Sequence, residues 1–263
     1  MLRNVFTKAI RDQRRALVGW GTGLALLILL MSALWPSLSA MGDLESFLSG
    51  FPEPMQELFN LDEYGTGVGY YNTELFTAML PILFLAFGIG RGARAIAGDE
   101  ETGTLDAVLL TQVSPRGLLV QQAAAVAVGI TLLGTVVLVS AVASSAIFGL
   151  GVGVGAVASG ALAITLLGLE FGWLSLAIGA ATGSRIKALA LSSAAAVAAY
   201  VLYLAGALVD GVRPWQPLSP FYQALAEGPV GAGLPLSYLW MLLAAVVFVL
   251  AAIPVLERRD IGR

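Results

Sequence analysis

Residues 157–181 read VASGALAITLLGLEFGWLSLAIGAA, a run in which Glu170 is the only ionisable side chain. A helix needs about 20 predominantly apolar residues to cross the ~30 Å hydrocarbon core of a bilayer, and this run exceeds that length. The run lacks the strict alternation of apolar and polar residues that is typical of a membrane β-barrel strand. The stretch therefore predicts a transmembrane helix.

Five further apolar stretches have a similar length, at residues 17–36, 74–94, 117–148, 188–209 and 236–256. The composition of the 263-residue chain agrees, since 58% of the residues are hydrophobic and 12% are charged. Soluble proteins carry about a quarter charged residues. We therefore predict an all-α polytopic membrane protein whose transmembrane domain, residues 17–256, contains six helices.

The basic residues predict the orientation of the chain. With six spans, the segments on one side of the membrane contain Arg3, Lys8, Arg11, Arg14, Arg15, Arg91, Arg94, Arg116, Arg185, Lys187, Arg258, Arg259 and Arg263. Of the 14 Lys and Arg residues, only Arg213 falls on the other side. Cytoplasmic loops are enriched in Lys and Arg, so both termini, the loop 95–116 and the tail 257–263 are predicted to be cytoplasmic. The acidic loop 37–73 and the segment 210–235 then lie outside.

Residues 1–16 are amphipathic at helical spacing. Apolar residues that include Val5, Phe6 and Ile10 share one face, and basic residues that include Lys8 and Arg11 occupy the rest. This pattern predicts an interfacial helix at the cytoplasmic membrane surface. A simple topology anchor and a docking surface for a cytoplasmic partner both fit the pattern.

The inner loop 95–116 combines an acidic cluster with a short apolar pattern. Gly103 interrupts the chain after Glu100 and Glu101, and Thr104 can cap a short helix. That helix would present Leu105, Val108 and Leu109 on one side. Ser114-Pro115 is a good N-cap and first-turn pair for the next span. The loop therefore predicts a short helix held between two spans, with an ordinary inner loop as the alternative.

The same loop carries a family resemblance. The sequences Glu101-Thr102-Gly103-Thr104-Leu105, Leu109-Leu110 and Val113-Ser114-Pro115-Arg116 resemble the first cytoplasmic loop of the ABC-type-2 exporter permeases, which are transmembrane subunits of ABC transporters. Gln112 stands where these permeases commonly have a proline, and Pro115 follows the serine instead. The stretch Leu218-Ser219-Pro220-Phe221-Tyr222 is similar to the Ser-Pro-Phe stretch of the family.

This resemblance implies a permease of the prokaryotic plasma membrane that moves a hydrophobic or amphipathic solute (drug, antibiotic or lipid) outward. It implies partnership with two copies of a cytoplasmic ABC ATPase subunit and with a second permease copy, in a homodimer or a heterodimer, and no nucleic acid. The segment 210–235 would be re-entrant, and the loop 95–116 would hold the coupling helix. The implied contacts to the ATPase subunit are Phe6, Ile10, Arg11, Glu100, Glu101, Gly103, Thr104, Leu105 and Leu109.

The chain has no phosphate-binding loop of its own. Such a loop reads G-x-x-x-x-G-K-[ST], because its lysine reaches the phosphates. The only lysines, Lys8 and Lys187, follow Thr7 and Ile186. The chain is therefore predicted not to be an enzyme and to bind no cofactor directly, with ATP and Mg²⁺ bound on the partner ATPase. Serine–histidine catalysis and a His-ligated zinc protease are excluded because the chain has no histidine.

Glu170 is the acidic residue deepest in a span, and it lies between Gly168 and Gly172. The two glycines form a small-xxx-small pair that lets another helix approach closely. One hypothesis places all three residues on the translocation path or at a dimer seam. In the other, Glu170 is a protonated carboxyl group that bonds a neighbouring helix. An ion-coupled secondary transporter that uses Glu170 is the alternative function.

Overall fold

A computed structural model of the chain describes residues 5–40, 50, 63–101 and 114–259. In chain order the helices are α1 (Val5–Ser39), α2 (Gly67–Ala95), α3 (Ala97–Glu101), α4 (Pro115–Phe148), α5 (Val154–Thr182), α6 (Arg185–Leu208), α7 (Pro220–Leu225) and α8 (Ser237–Arg258). A 3₁₀ turn, Arg213–Leu218, separates α6 from α7. Six of these helices are long and apolar enough to span a membrane, and no strand occurs in the described ranges. The prediction of an all-α protein with six spans is confirmed.

Local sequence signals set several helix ends. The Ser114 side chain accepts a hydrogen bond from the Gly117 N–H, and Pro115 occupies the first turn of α4, as the sequence predicted. Ser184 caps α6 in the same way. Glycines with positive φ end two of the spans, Gly149 after α4 and Gly183 after α5. Since a left-handed conformation strains residues with a Cβ, these glycines are natural stop signals.

Two helices extend beyond the predicted spans. The amphipathic N-terminal segment continues without a break into the first span, so α1 is 35 residues and about 52 Å long. No helix-breaking residue separates the two parts. α2 begins at Gly67, within the segment predicted as outer loop, because Thr66 accepts a hydrogen bond from the Gly69 N–H and caps the helix. Its residues Tyr71–Met79 form a π-helical segment just before Pro81.

α5 is the central helix of the bundle. It packs against α2, α4, α6 and α8, and it is the most buried of the six spans. Its sequence is apolar on every side, which is the pattern of a helix surrounded by other helices. α2, α4, α6 and α8 are therefore arranged around α5, and α1 packs against α4.

α2 and α5 meet along a glycine seam formed by Gly88, Gly92, Gly168 and Gly172. A Cβ at Gly88 would collide with the carbonyl oxygen of Gly168, and a Cβ at Gly92 would collide with that of Gly172. The two backbones are thus closer than any residue with a side chain would permit. One turn further in, the Ser175 hydroxyl donates to the Ile89 carbonyl at 3.0 Å. Both small-xxx-small pairs therefore serve one contact within the chain.

Tyrosine hydroxyl groups join α1, α2 and α4 near the helix ends that the sequence predicts to face outward. The Tyr71 hydroxyl lies 2.8 Å from the Ser32 hydroxyl and donates to the Ala141 carbonyl at 3.1 Å. The Tyr70 hydroxyl donates to the Met31 carbonyl at 2.7 Å. Just before α2, Tyr64 donates to the Glu74 carboxylate, and burial together with this hydrogen bond raises the pKa of Tyr64. These contacts fix the start of α2 between its neighbours.

The segment between α6 and α8 folds back along α6. The Ser219 hydroxyl donates to the Ala199 carbonyl at 2.7 Å, more than two turns before the end of α6. The Gln216 side chain donates to the Tyr203 carbonyl at 2.9 Å. Further along, the Asn72 side chain both donates to the carbonyl of Val230 and accepts from its N–H. The segment is therefore bonded to both α6 and α2.

The glycine seam predicts a sharp difference between two neighbouring glycines. We expect Gly92→Ala to lower the free energy of unfolding by about 1–3 kcal/mol, because the added methyl group must force the helices apart. Gly90→Ala is the matched control, since a Cβ there meets nothing within 4 Å and alanine favours a helix. Thermal unfolding in detergent measures both. Equal midpoints for the two variants would contradict the seam.

Candidate coupling and transport sites

Four residues at the end of the bundle that the sequence predicts to be cytoplasmic, which we call the inner end, form what we call the inner clamp: Glu100, Glu101, Arg185 and Arg259. The Nη2 of Arg259 donates to Oε1 of Glu100 at 2.6 Å, and its Nη1 donates to the Ala180 carbonyl. The Glu101 carboxylate accepts from the backbone N–H of Arg185 at 2.8 Å, at the first turn of α6. A carboxylate is favoured there by the helix dipole. The clamp therefore joins α3 to α5, to the start of α6 and to the residue that follows α8.

The turn between α5 and α6 leaves room for the clamp. Gly183 has φ +64°, and a Cβ there would collide with the Arg259 guanidinium and come within 2.7 Å of the Glu100 carboxylate. The glycine therefore both ends α5 and admits the ion pair. The Arg259 and Glu100 side chains are 22% and 27% exposed, so the pair is shielded from most of the solvent. Screening by salt is weaker for such a pair than for one at the surface.

The residues predicted to contact an ATPase subunit fall into three groups. On α1, Arg11 is exposed, Ile10 is half-buried, and the Phe6 N–H donates to the Gln121 side chain. Glu100 and Glu101 lie together in the inner clamp and bond to their own chain. Four of the predicted residues lie outside the described residues: Gly103, Thr104, Leu105 and Leu109.

Sequence reasoning did not select Arg185 or Arg259 as functional residues. Arg259 lies 159 residues from Glu100 in the chain, so no local spacing connects the two. The signal that could have found them is charge: both arginines are assigned to the same side as the acidic cluster at residues 99–101. An acidic cluster on a side rich in cations is a natural partner for some of them.

Glu170 lies inside the bundle rather than on its surface. Its side chain is buried, with 6% exposure, and one carboxylate oxygen, Oε2, has no hydrogen-bond partner in the described part of the chain. Its neighbours Gly168 and Gly172 face α2 in the glycine seam. The three residues are therefore close in space, but the glycines serve helix packing within one chain.

A wide apolar groove lies between α2 and α6. Its volume is about 600 Å³, and we call it the α2–α6 groove. Thr77, Ser193 and Tyr200 contribute hydroxyl groups to its walls. The other lining residues are apolar: Ala78, Pro81, Ile82, Leu85, Ala86, Ile89, Gly90, Leu189, Ala196, Val197 and Phe221. Such a surface suits a drug-sized apolar molecule whose orientation is set by a few hydrogen bonds.

The inner clamp predicts that the Arg259 side chain is one of the contacts that hold α3 in place. We expect Arg259→Ala to speed amide hydrogen exchange in residues 97–101 by roughly tenfold or more, because α3 loses its bond to the α8 end. Arg258→Ala is the matched control, since the neighbouring Arg258 is exposed. Exchange is measured by mass spectrometry on the purified chain. Unchanged exchange in Arg259→Ala would show that the clamp does not hold α3.

Comparison with known proteins assigns the family of the chain. Residues 2–255 match the family model described as "Multidrug efflux system permease Rv1217c, C-terminal domain". No curated protein sequence matches the chain significantly. The family match runs from the N-terminal end of the chain almost to the end of α8 and includes both the inner clamp's Glu100 and the α2–α6 groove. The chain therefore belongs to this family of multidrug efflux permeases and is a multi-pass transport protein of the prokaryotic inner membrane.

Proposed function

We propose that the chain is the membrane-spanning permease subunit of an ATP-driven ABC exporter that moves a hydrophobic or amphipathic solute outward. The observation that carries this proposal is the α2–α6 groove, an apolar site of about 600 Å³ in a chain of an efflux permease family. Ligand sites for drug-sized molecules have volumes of about 300–1,000 Å³ and mostly apolar walls. A drug, an antibiotic or a lipid has that chemistry.

The α2–α6 groove favours solutes whose bound portion is uncharged. No Asp, Glu, Lys or Arg of the described residues lines it, and its hydroxyl groups on Thr77, Ser193 and Tyr200 can each form a hydrogen bond. Tyr200 also lies at 5.2 Å, ring centroid to ring centroid, from Phe221. This pair offers an aromatic wall to a flat or hydrophobic solute. The selectivity expected from such a site is broad, since apolar contacts discriminate weakly between similar molecules.

ATP hydrolysis is assigned to a separate subunit. The full sequence contains no phosphate-binding loop, so ATP and Mg²⁺ would be bound by a cytoplasmic ABC ATPase, in two copies beside two permease copies. The described part of the chain offers one surface for it, the exposed side of α1 around Arg11, and the coupling helix predicted after Gly103 would be a second contact. Displacement of α3 would reach α5, α6 and α8 through the inner clamp.

An ion-coupled secondary transporter is the second candidate function. The observation that favours it is Glu170, whose buried Oε2 has no hydrogen-bond partner in the described ranges. A carboxyl group that carries protons must be reachable by both proton and solute during transport. Under this alternative, Glu170→Gln would abolish transport and no ATPase subunit would be needed.

Transport in vesicles tests the proposal. We expect efflux of a fluorescent hydrophobic dye to require both ATP and the ATPase subunit. Ala86→Trp should lower the efflux rate by roughly tenfold or more, because the indole fills the groove. Ala198→Trp is the matched control, since this exposed alanine of α6 does not line the groove. Both variants should keep the basal ATP turnover of the complex.

Two results of this assay would contradict the proposal. Dye transport by the chain alone, without ATP or an ATPase, would exclude an ATP-driven permease. Equal efflux by Ala86→Trp and the wild-type chain would exclude the α2–α6 groove as the solute site. If Glu170→Gln loses transport driven by a proton gradient in the same vesicles, the secondary transporter is the better description.

A further inference from the structure

A charged cavity lies at the inner end of the bundle. Its volume is about 400 Å³, and it is lined by α3 and by residues near the inner ends of α1, α2, α4 and α6. Four of its lining side chains are cationic: Lys8, Arg91, Arg94 and Arg185. Two of the described lining side chains are anionic, Asp12 and Glu101. The oxygen of Glu101 that meets α6 is already bonded to the backbone of Arg185.

Arg185, which lines this cavity, has one hydrogen-bond donor without a partner among the described residues. Its Nε is buried and has no acceptor among the residues that the structure describes. A buried N–H without an acceptor is unfavourable, and on a guanidinium group the preferred acceptor is a carboxylate or a phosphate. Arg94 lines the same cavity with an exposed side chain. Arg94 and Arg185 therefore present two cationic groups to the cavity.

The charged cavity begins about one helical turn beyond the α2–α6 groove on both α2 and α6. On α6, the groove ends at Leu189, and Arg185 lies one helical turn further in, on the same face. On α2, the groove ends near Gly90, and Arg94 lies one turn further in. Two apolar walls thus lead to two arginines at their inner end. An amphiphile fits this arrangement, with its apolar tail between the walls and an anionic headgroup at the two arginines.

We infer that the groove and the charged cavity together bind a phospholipid with an anionic headgroup from the inner leaflet. The headgroup phosphate lies between Arg94 and Arg185, accepts from the Arg185 guanidinium, and directs an acyl chain into the α2–α6 groove. Basic pockets between spans at the cytoplasmic side are the usual sites for such headgroups. The inference uses the groove of the proposed function and adds its charged end. Binding needs neither ATP nor a partner.

Lipid retention by the purified full chain tests the inference. The probes are phosphatidylglycerol, phosphatidylcholine and inorganic phosphate, and native mass spectrometry measures which lipid stays bound. We expect phosphatidylglycerol to be retained over phosphatidylcholine. Arg94→Gln combined with Arg185→Gln should weaken phosphatidylglycerol binding by about thirtyfold, the loss expected for two surface cations. Lysine at both positions should restore most of the affinity for phosphatidylglycerol, because lysine carries the same positive charge as arginine.

Lys187→Gln is the matched control, since this exposed lysine lies two residues from Arg185 and does not line the cavity. It should bind phosphatidylglycerol like the wild-type chain. Arg94→Gln alone keeps the test valid if the double variant unfolds, because Arg94 is exposed. Thermal unfolding in phosphatidylcholine checks that each variant is folded.

Three outcomes would overturn the inference. Equal retention of the two lipids by the wild-type chain would exclude an anionic site. A loss in Lys187→Gln as large as in the arginine variants would show only a general surface attraction. Displacement of phosphatidylglycerol by inorganic phosphate at equal concentration would identify a free-phosphate site without an acyl chain. Each of these leaves the proposed exporter function intact, because dye efflux is measured separately.

Discussion

The close approach of α2 and α5 at the glycine seam is the constraint on which the rest of the bundle depends. Lipid tails are as apolar as leucine, so burial of apolar side chains alone does not determine which helices pair in a membrane. Shape does decide it, because a Cβ at Gly88 or Gly92 would collide with the backbone of Gly168 or Gly172, so only glycine fits at these two positions of α2. With this pair fixed, α6 packs against both α2 and α5, and the groove between α2 and α6 follows.

α5 also carries the contacts at the inner end. Its last residues supply the Ala180 carbonyl to Arg259, and the turn at Gly183 admits the Glu100 carboxylate. α3 is therefore held against the same helix that forms the seam with α2. A displacement of α3 would act on α5 at this end, while the α2–α6 groove lies further along the bundle. The geometry suits transmission by rigid helices rather than by a flexible loop.

Much of this fold follows from the sequence, and the reason is physical. The length of each apolar run, set by bilayer thickness, predicts the six spans, and Ser114-Pro115 predicts the start of α4. The glycine pairs are visible as patterns, but a spacing does not name its partner helix. The sequence pattern does not predict the ion pair between Glu100 and Arg259 either, because that contact depends on the position of the end of α8 in the folded chain. The short helix expected after Gly103 lies beyond the described residues and stays a prediction.

The central claim is that both α2 and the inner helix α3 pack directly against α5, which holds them in place. The chain has no cysteine, so engineered pairs can be studied without background. A Cβ at Gly179 would lie 3.6 Å from the Cβ of Ala97, within the range of a disulfide. Ala97→Cys combined with Gly179→Cys should therefore oxidise to a disulfide that blocks maleimide labelling, whereas Ala97→Cys with Ala181→Cys, on an exposed side of α5, should not. Full maleimide labelling of the first pair after oxidation would contradict the account.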